Sequence, residues 1–246
     1  GLPVPATVDE VVAAATAIAE AGTEVRQLAA SPLMHGTASI SSKGTLTHGG
    51  CVITLTSHHF DADELFRSVE RHRATMLTIV GDAFSRPMLA ALERAEAEGH
   101  PYDLSSVRSI VSSGIMWSEE VKQALLAKHP FTLVDILGSS EGSGMARQVA
   151  SRKHKAATAR FTLSESSRVF TDDGREVVPG SGERGRIALG FPIPLGYFKD
   201  PAKTDATFPV IAGRRWSIPG DYATVEADGT VVLLGRGSQC INTGGE

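Results

Sequence analysis

Two stretches hold the residues best suited to chemistry. Residues 135–144 read DILGSSEGSG: an apolar run from Phe131 to Leu137 meets Gly138, then Ser139, Ser140 and a single acid, Glu141, before Gly142 and Gly144. Small residues let backbone amides approach a ligand closely, and hydroxyls supply further hydrogen bonds. A lone carboxylate among them can hold a divalent cation that bridges phosphate oxygens. Glu141 can equally cap the turn that follows, and the segment taken alone favours that plainer role. Residues 219–246 read PGDYATVEADGTVVLLGRGSQCINTGGE. Asp221 and Arg236 stand at the two ends of a hairpin signalled by Asp228-Gly229, so they can face one side. An acid there can take both hydroxyls of a ribose, and an Arg can serve ribose or phosphate. The alternative is an ion pair that staples the hairpin and contributes little.

The elements that position these residues fall into two textures. From Thr7 to about Leu137, helical and strand patterns alternate. Thr7 with Glu10 three residues on opens a helix to Glu20, and Asp61–His72 puts Leu65, Phe66 and Val69 on one helical face. Arg86–Glu98 is a third helix, and Ser118 caps a fourth that begins with Glu119 and Glu120. Between them lie short β-branched or apolar runs: Cys51–Thr56, Ala74–Val80, Val107–Val111 and Phe131–Leu137. Such alternation predicts an α/β fold, a doubly wound, mainly parallel sheet with flanking helices, over residues 1–150. Beyond Ala150 turn signals crowd in (Asp172-Asp-Gly174, Pro179-Gly-Ser-Gly182, Ala212-Gly213, Asp228-Gly229) between short alternating runs. Residues 151–246 should therefore form a small antiparallel β-barrel-like subdomain. In open α/β sheets, ligands bind at the carboxyl ends of the strands. Ile110-Val-Ser-Ser-Gly114 and Leu133–Gly138 both run into small-residue turns of that kind.

Bulk composition excludes several classes. The 246 residues are 41% hydrophobic, enough for a core, and 21% charged with a net charge of −4. No basic excess points to nucleic acid. Cys51 and Cys240 are far apart in sequence, without a CxxC or His partner, which argues against a disulfide framework or structural zinc. No apolar stretch approaches bilayer length, so there is no transmembrane segment and a cytoplasmic location is the default. His58-His59 reads as surface, Trp117 and Trp216 as packing, Cys240 as unreactive, and Arg184 and Arg186 as a solvated turn.

Taken in order, SPLMHG (31–36), VSSGIMWSEE (111–120), LGSSEG (137–142), GYFKDPAKT (196–204), PGD (219–221) and GRGSQCINTGGE (235–246) resemble the AMP-forming acyl-CoA synthetases. These belong to the adenylating superfamily of luciferases and peptide-synthetase adenylation domains. The wording is most similar to fatty-acid and sterol-side-chain CoA ligases of actinobacteria, and the match spans nearly the whole chain.

The resemblance implies a flavodoxin-like first part and a set of roles. Ser140 and Glu141 match the phosphate-contacting hydroxyl and the Mg²⁺-holding acid, with Gly138 and Ser139 in the same nucleotide-binding turn. Asp221 matches the ribose-binding acid and Arg236 the Arg that follows it. Ser113, Gly114 and Ile115 match the turn along adenine, and His35 a position near the reacting carboxylate. Ser238 matches the hinge to a C-terminal lid. The implied substrates are a fatty or sterol-side-chain carboxylic acid, ATP (leaving as AMP) and CoA, with Mg²⁺ as cofactor. Lipid substrates would also suit a peripheral membrane association. The sequence departs from the pattern at Leu137, where an aromatic is usual, at Ser140 in place of Thr, and at Ser238 in place of Asp or Lys. The phosphate loop and the lid with its lysine are not in these 246 residues, so the chain is expected to be an incomplete N-terminal domain, inactive alone. Two alternatives remain: a non-catalytic fragment that binds nucleotide or acyl-adenylate, and adenylation followed by transfer to a carrier protein.

Overall fold

The computed structural model describes residues 7–236; Ser238, Cys240 and the terminal Gly-Gly loop lie outside the described residues. Contacts divide the chain into two compact units, Gly1–Val134 with Val149–Lys155, and Asp135–Gln148 with Ala156–Glu246.

The first unit contains helices α1 (Val8–Glu20), α2 (Gly36–Thr47), α3 (Ala62–His72), α4 (Gly81–Ala97) and α5 (Glu119–Lys128). Its strands are β1 (Arg26–Ala29), β2 (Cys51–Thr54), β3 (Met76–Ile79), β4 (Ser109–Ser113) and the start of β5 (Thr132–Ser139). Their order is β2-β1-β3-β4-β5, and the β1/β2, β1/β3 and β3/β4 ladders are parallel. This is the parallel α/β architecture that the alternating pattern predicts, in the flavodoxin-like order.

Local chemistry accounts for several helix starts. Thr7 Oγ1 accepts from Glu10 N at 3.3 Å, and Ser118 Oγ accepts from Val121 N at 3.5 Å. Asp61 Oδ1 accepts from Asp63 and Glu64 N, and the next turns bury Leu65, Phe66 and Val69 completely. Each such side chain contributes about 1.5–3 kcal/mol by leaving water. The last turn of α5 is closed from outside: Arg152 donates to the carbonyls of Leu126 at 2.7 Å and Ala127 at 3.1 Å.

Four elements differ from expectation. Helix α4 begins at Gly81, five residues before the predicted Arg86, and carries Pro87 inside it. Its start is capped by tertiary contacts: Gly81 N donates to Ser112 Oγ at 2.8 Å and Asp82 N to Met116 O at 3.2 Å. Strand β1 and helix α2 carry no clear periodic signal. The residues of α2, GTASISSKGTLT, are weak helix formers. They are held by Gln27 on β1, fully buried, which donates to Ser41 Oγ and Thr78 Oγ1 at 2.8 Å each and accepts from Thr45 Oγ1 at 2.6 Å. Strand β5 does not stop at Gly138; it runs through Ser139.

The second unit contains the end of β5, then β6 (Gly142–Ala150, mostly in this unit), β7 (Arg160–Leu163), β8 (Ser167–Phe170), β9 (Arg184–Leu189) and helix α6 (Pro201–Thr207). The short β10 (Val210–Ile211) and β11 (Arg214–Arg215) pair with each other, and β12 (Asp221–Val225) and β13 (Thr230–Arg236) complete the unit. The order β6-β7-β13-β12-β9-β8 is built from antiparallel ladders, as the turn-rich texture predicts. Met145, Val169, Ile187, Leu189, Ala223 and Val231 form its main buried cluster. Arg184 and Arg186 lie in β9 rather than in a solvated turn. Arg184 sits 4.9 Å over the Tyr222 ring, and Arg186 Nε is 3.1 Å from Asp172. Trp117 and Trp216 are both buried. None of the described helices is long and apolar enough to cross a membrane.

Candidate functional site

In the first unit the carboxyl ends of the parallel strands carry four of the predicted residues. β1 is flanked by β2 on one side and β3 on the other, the point at which such sheets reverse and leave a crevice. His35 follows β1 as the exposed residue before α2, and its side chain makes no capping bond. Ser113 ends β4, and its carbonyl accepts from Thr37 Oγ1 at 3.4 Å, two residues beyond His35. Gly114, at φ +96°, and Ile115 are exposed. The loop after β4 is fastened through its main chain: the Ile115 and Met116 carbonyls lie against Gly81, and Ser118 N donates to Asp82 Oδ1 at 2.9 Å. Ile115 and Met116 thus stay 56% and 60% exposed although the loop is anchored. Thr37, Gly81 and Asp82 were not singled out by sequence, because their partners lie 30 or more residues away.

In the second unit DILGSSEGSG is a tight β-hairpin. β5 ends at Ser139, Ser140 and Glu141 form the whole connection, and β6 starts at Gly142. Gly138 is half-buried beside the Gly142 and Gly144 backbone of the other arm. Ser139 Oγ accepts from Glu141 N at 3.2 Å, and Ser140 is exposed at the tip. Glu141 is half-buried and held twice. Its carbonyl accepts from Ser217 Oγ at 2.7 Å, and its Oε1 accepts from Tyr197 Oη at 2.6 Å. The Glu141 side chain, for which the segment taken alone favours a capping role, accepts from a tyrosine 56 residues away. Tyr197 belongs to GYFKDPAKT, where only the order of motifs drew notice; Ser217 has no local signal.

Asp221 opens β12 and is 8% exposed, directly after Pro219-Gly220. Its backbone pairs in register with that of Arg236 on β13. The hairpin predicted from Asp228-Gly229 therefore brings these two positions opposite each other.

A family profile described as AMP-binding enzyme matches residues 3–197. The chain belongs to the AMP-binding enzyme family. Among this family's curated members, a medium/long-chain-fatty-acid–CoA/3-oxocholest-4-en-26-oate–CoA ligase of Mycolicibacterium smegmatis is 43% identical over 217 residues, covering 87% of this chain and 39% of the relative. A 3-oxocholest-4-en-26-oate–CoA ligase of Rhodococcus rhodochrous is 44% identical over 221 residues, with the same two shares. The chain thus spans about two fifths of these relatives' length. The solved structure of O-succinylbenzoate coenzyme A synthetase from Bacillus subtilis, in complex with AMP, has the same fold at a TM-score of 0.68 and 24% identity, covering 95% of this chain and 46% of that one.

A divalent cation suits the donor set. Among the described residues no group of three or more His, Cys, Asp or Glu could enclose a metal. Glu141 offers hard carboxylate oxygens from a fixed turn. That matches Mg²⁺, which keeps several waters and is bound through one or two carboxylates with substrate phosphates rather than by an all-protein cage.

Proposed function

We propose that the protein activates a fatty or sterol-side-chain carboxylic acid with ATP, forming an acyl-adenylate and pyrophosphate, and that CoA then displaces AMP to give the acyl-CoA thioester. This chain would carry part of the machinery in a cytoplasmic enzyme whose other parts are the phosphate loop and the lid. The carrying observation is the two-residue turn Ser140-Glu141, whose acid is fixed through both its main chain and its side chain. The family profile and the CoA-ligase relatives support the same reading.

In this reading Glu141 would hold Mg²⁺, which when bound neutralises charge developing on the phosphates. The Ser140 hydroxyl, exposed at the hairpin tip, would donate to a phosphate oxygen, with Gly138 and Ser139 shaping its approach. Asp221 would accept from the two ribose hydroxyls, and the motif assigns Arg236 to ribose or phosphate. In the first unit, Ser113, Gly114 and Ile115 would lie along adenine, where the absent Cβ of Gly114 permits close approach. His35 would face the carboxylate of the acid.

Calorimetry with a non-hydrolysable ATP analogue tests the binding role. Glu141→Ala should weaken Mg²⁺-dependent binding about tenfold or more, and an unchanged affinity would remove its assignment. Robust pyrophosphate release from this chain alone would overturn the division of labour. Thioester formation with free CoA, but not with a carrier protein, separates the CoA ligase from the carrier-charging alternative.

A further inference from the structure

Around Glu141 the second unit builds a frame for which the proposed chemistry has given no use. Tyr197 Oη donates to Glu141 Oε1 at 2.6 Å, and Tyr197 is itself gripped on several sides. Its N–H donates to Thr204 Oγ1 at 2.9 Å, and that hydroxyl donates to the Asp200 carbonyl at 2.7 Å, so the first turn of α6 fixes the tyrosine's main chain. Gly196 passes so near that a Cβ there would stand 2.5 Å from Thr204 Cγ2. Lys203 Nζ lies 4.0 Å from the centre of the Tyr197 ring, and the Phe208 ring packs at 5.9 Å. Arg215 secures the approach: it donates to the carbonyls of Pro194 at 2.7 Å and Leu195 at 2.6 Å, with its guanidinium 4.7 Å over Phe208.

A glutamate side chain on a hairpin tip ordinarily samples many rotamers, and a ligand must order it. Here the backbone is fastened by Ser217 and one carboxylate oxygen by an immobilised phenol. A carboxylate has two oxygens and about four acceptor directions, so accepting from a tyrosine is compatible with coordinating a cation.

We infer that Tyr197 is the positioning residue for Glu141, holding its carboxylate in one orientation so that a divalent cation carried by a nucleoside triphosphate meets a preformed oxygen. The inference rests on the proposed role of Glu141. Its recognisable ligand is the cation–triphosphate pair rather than either alone. Hydroxyls that orient a ligating carboxylate typically change metal affinity by about tenfold to a hundredfold.

Electron paramagnetic resonance of Mn²⁺, titrated into the 246-residue chain at saturating ATP, reads this directly. Tyr197→Phe keeps the ring between Lys203 and Phe208 and removes only the donor. It should weaken Mn²⁺ binding about tenfold, leave metal-free ATP binding unchanged, and add no loss in a Glu141→Gln background. Thr204→Val, which removes the acceptor of the Tyr197 N–H, should weaken Mn²⁺ in the same sense by a smaller factor, and serves if Tyr197→Phe fails to fold. If Glu141→Gln weakens Mn²⁺ while Tyr197→Phe and Thr204→Val match the parent, Tyr197 does not position Glu141 and the inference falls alone. If Glu141→Gln has no effect, the proposed role of Glu141 falls and takes the inference with it. An equal loss from Tyr197→Phe with and without Glu141 overturns the inference as well, since the tyrosine would then act by another route.

Discussion

Ser217 Oγ donates to the backbone carbonyl of Glu141 at 2.7 Å, tying the tip of a hairpin to a residue 76 positions later in the chain. Ser217 is completely buried, and its own backbone exchanges two hydrogen bonds with Leu189 at the end of β9. The turn is thus anchored to the sheet rather than left to its own stiffness. Ser217→Ala should cost about 1–3 kcal/mol, the range for losing a bond to a buried polar group. Urea unfolding measures the loss, and hydrogen exchange at residues 139–142 should accelerate more than at β12. A uniform change across the unit would contradict the anchor.

Gly81 determines where α4 begins. Its φ is +45°, and an added Cβ would meet the Met116 carbonyl at 2.5 Å and the Ile115 carbonyl at 2.7 Å. Both obstacles are main chain and cannot swing aside. Gly81→Ala should destabilise the protein by about 2–4 kcal/mol through strained backbone and forced displacement. The loop of Gly114 and Ile115 should move with it, so proteolysis between residues 113 and 118 should speed up.

Asp221 and Glu141 are assigned to different parts of one ligand, and their variants should separate. Asp221→Asn should weaken binding of a non-hydrolysable ATP analogue about tenfold whether or not Mg²⁺ is present. Glu141→Ala should matter only when Mg²⁺ is present. Calorimetry in magnesium buffer and in chelator buffer makes the comparison, and an identical metal dependence for the two variants would refute the assignment.

Acid should weaken the first unit through Glu64. Hydrogen bonds from Ser57 and then Thr56 hold its carboxyl at about 2, below the ordinary value of 4.5. A pKa lower in the folded than in the unfolded state means that the folded form favours the ionised group. Its contribution is therefore complete above pH 4.5 and is lost as the pH falls towards 2. The midpoint of urea unfolding, followed from pH 6 to pH 3, should fall more steeply in the parent than in Glu64→Gln. Parallel curves would show that Glu64 does not carry the effect.

Much of this was legible from residues that act on their neighbours in sequence. Thr7 and Ser118 cap helices through side chains that accept from amides three positions on, so their helices could be read directly. Leu65, Phe66 and Val69 repeat at helical spacing, and Asp228-Gly229 makes the β12–β13 hairpin that sets Asp221 opposite Arg236. The motif order was enough to name the family. What the sequence could not show is whatever depends on distant partners. Helix α4 starts at Gly81 because Ser112 and Met116 cap it, and α2 persists despite weak propensity because Gln27, Thr45 and Thr78 share a buried network. The residue types around Glu141 were visible at once, since small residues, hydroxyls and one acid are matters of composition. That the acid is bonded to Tyr197 and its carbonyl to Ser217 was decided only by folding, because hydrogen bonds form between atoms near in space, and those residues lie 56 and 76 positions away.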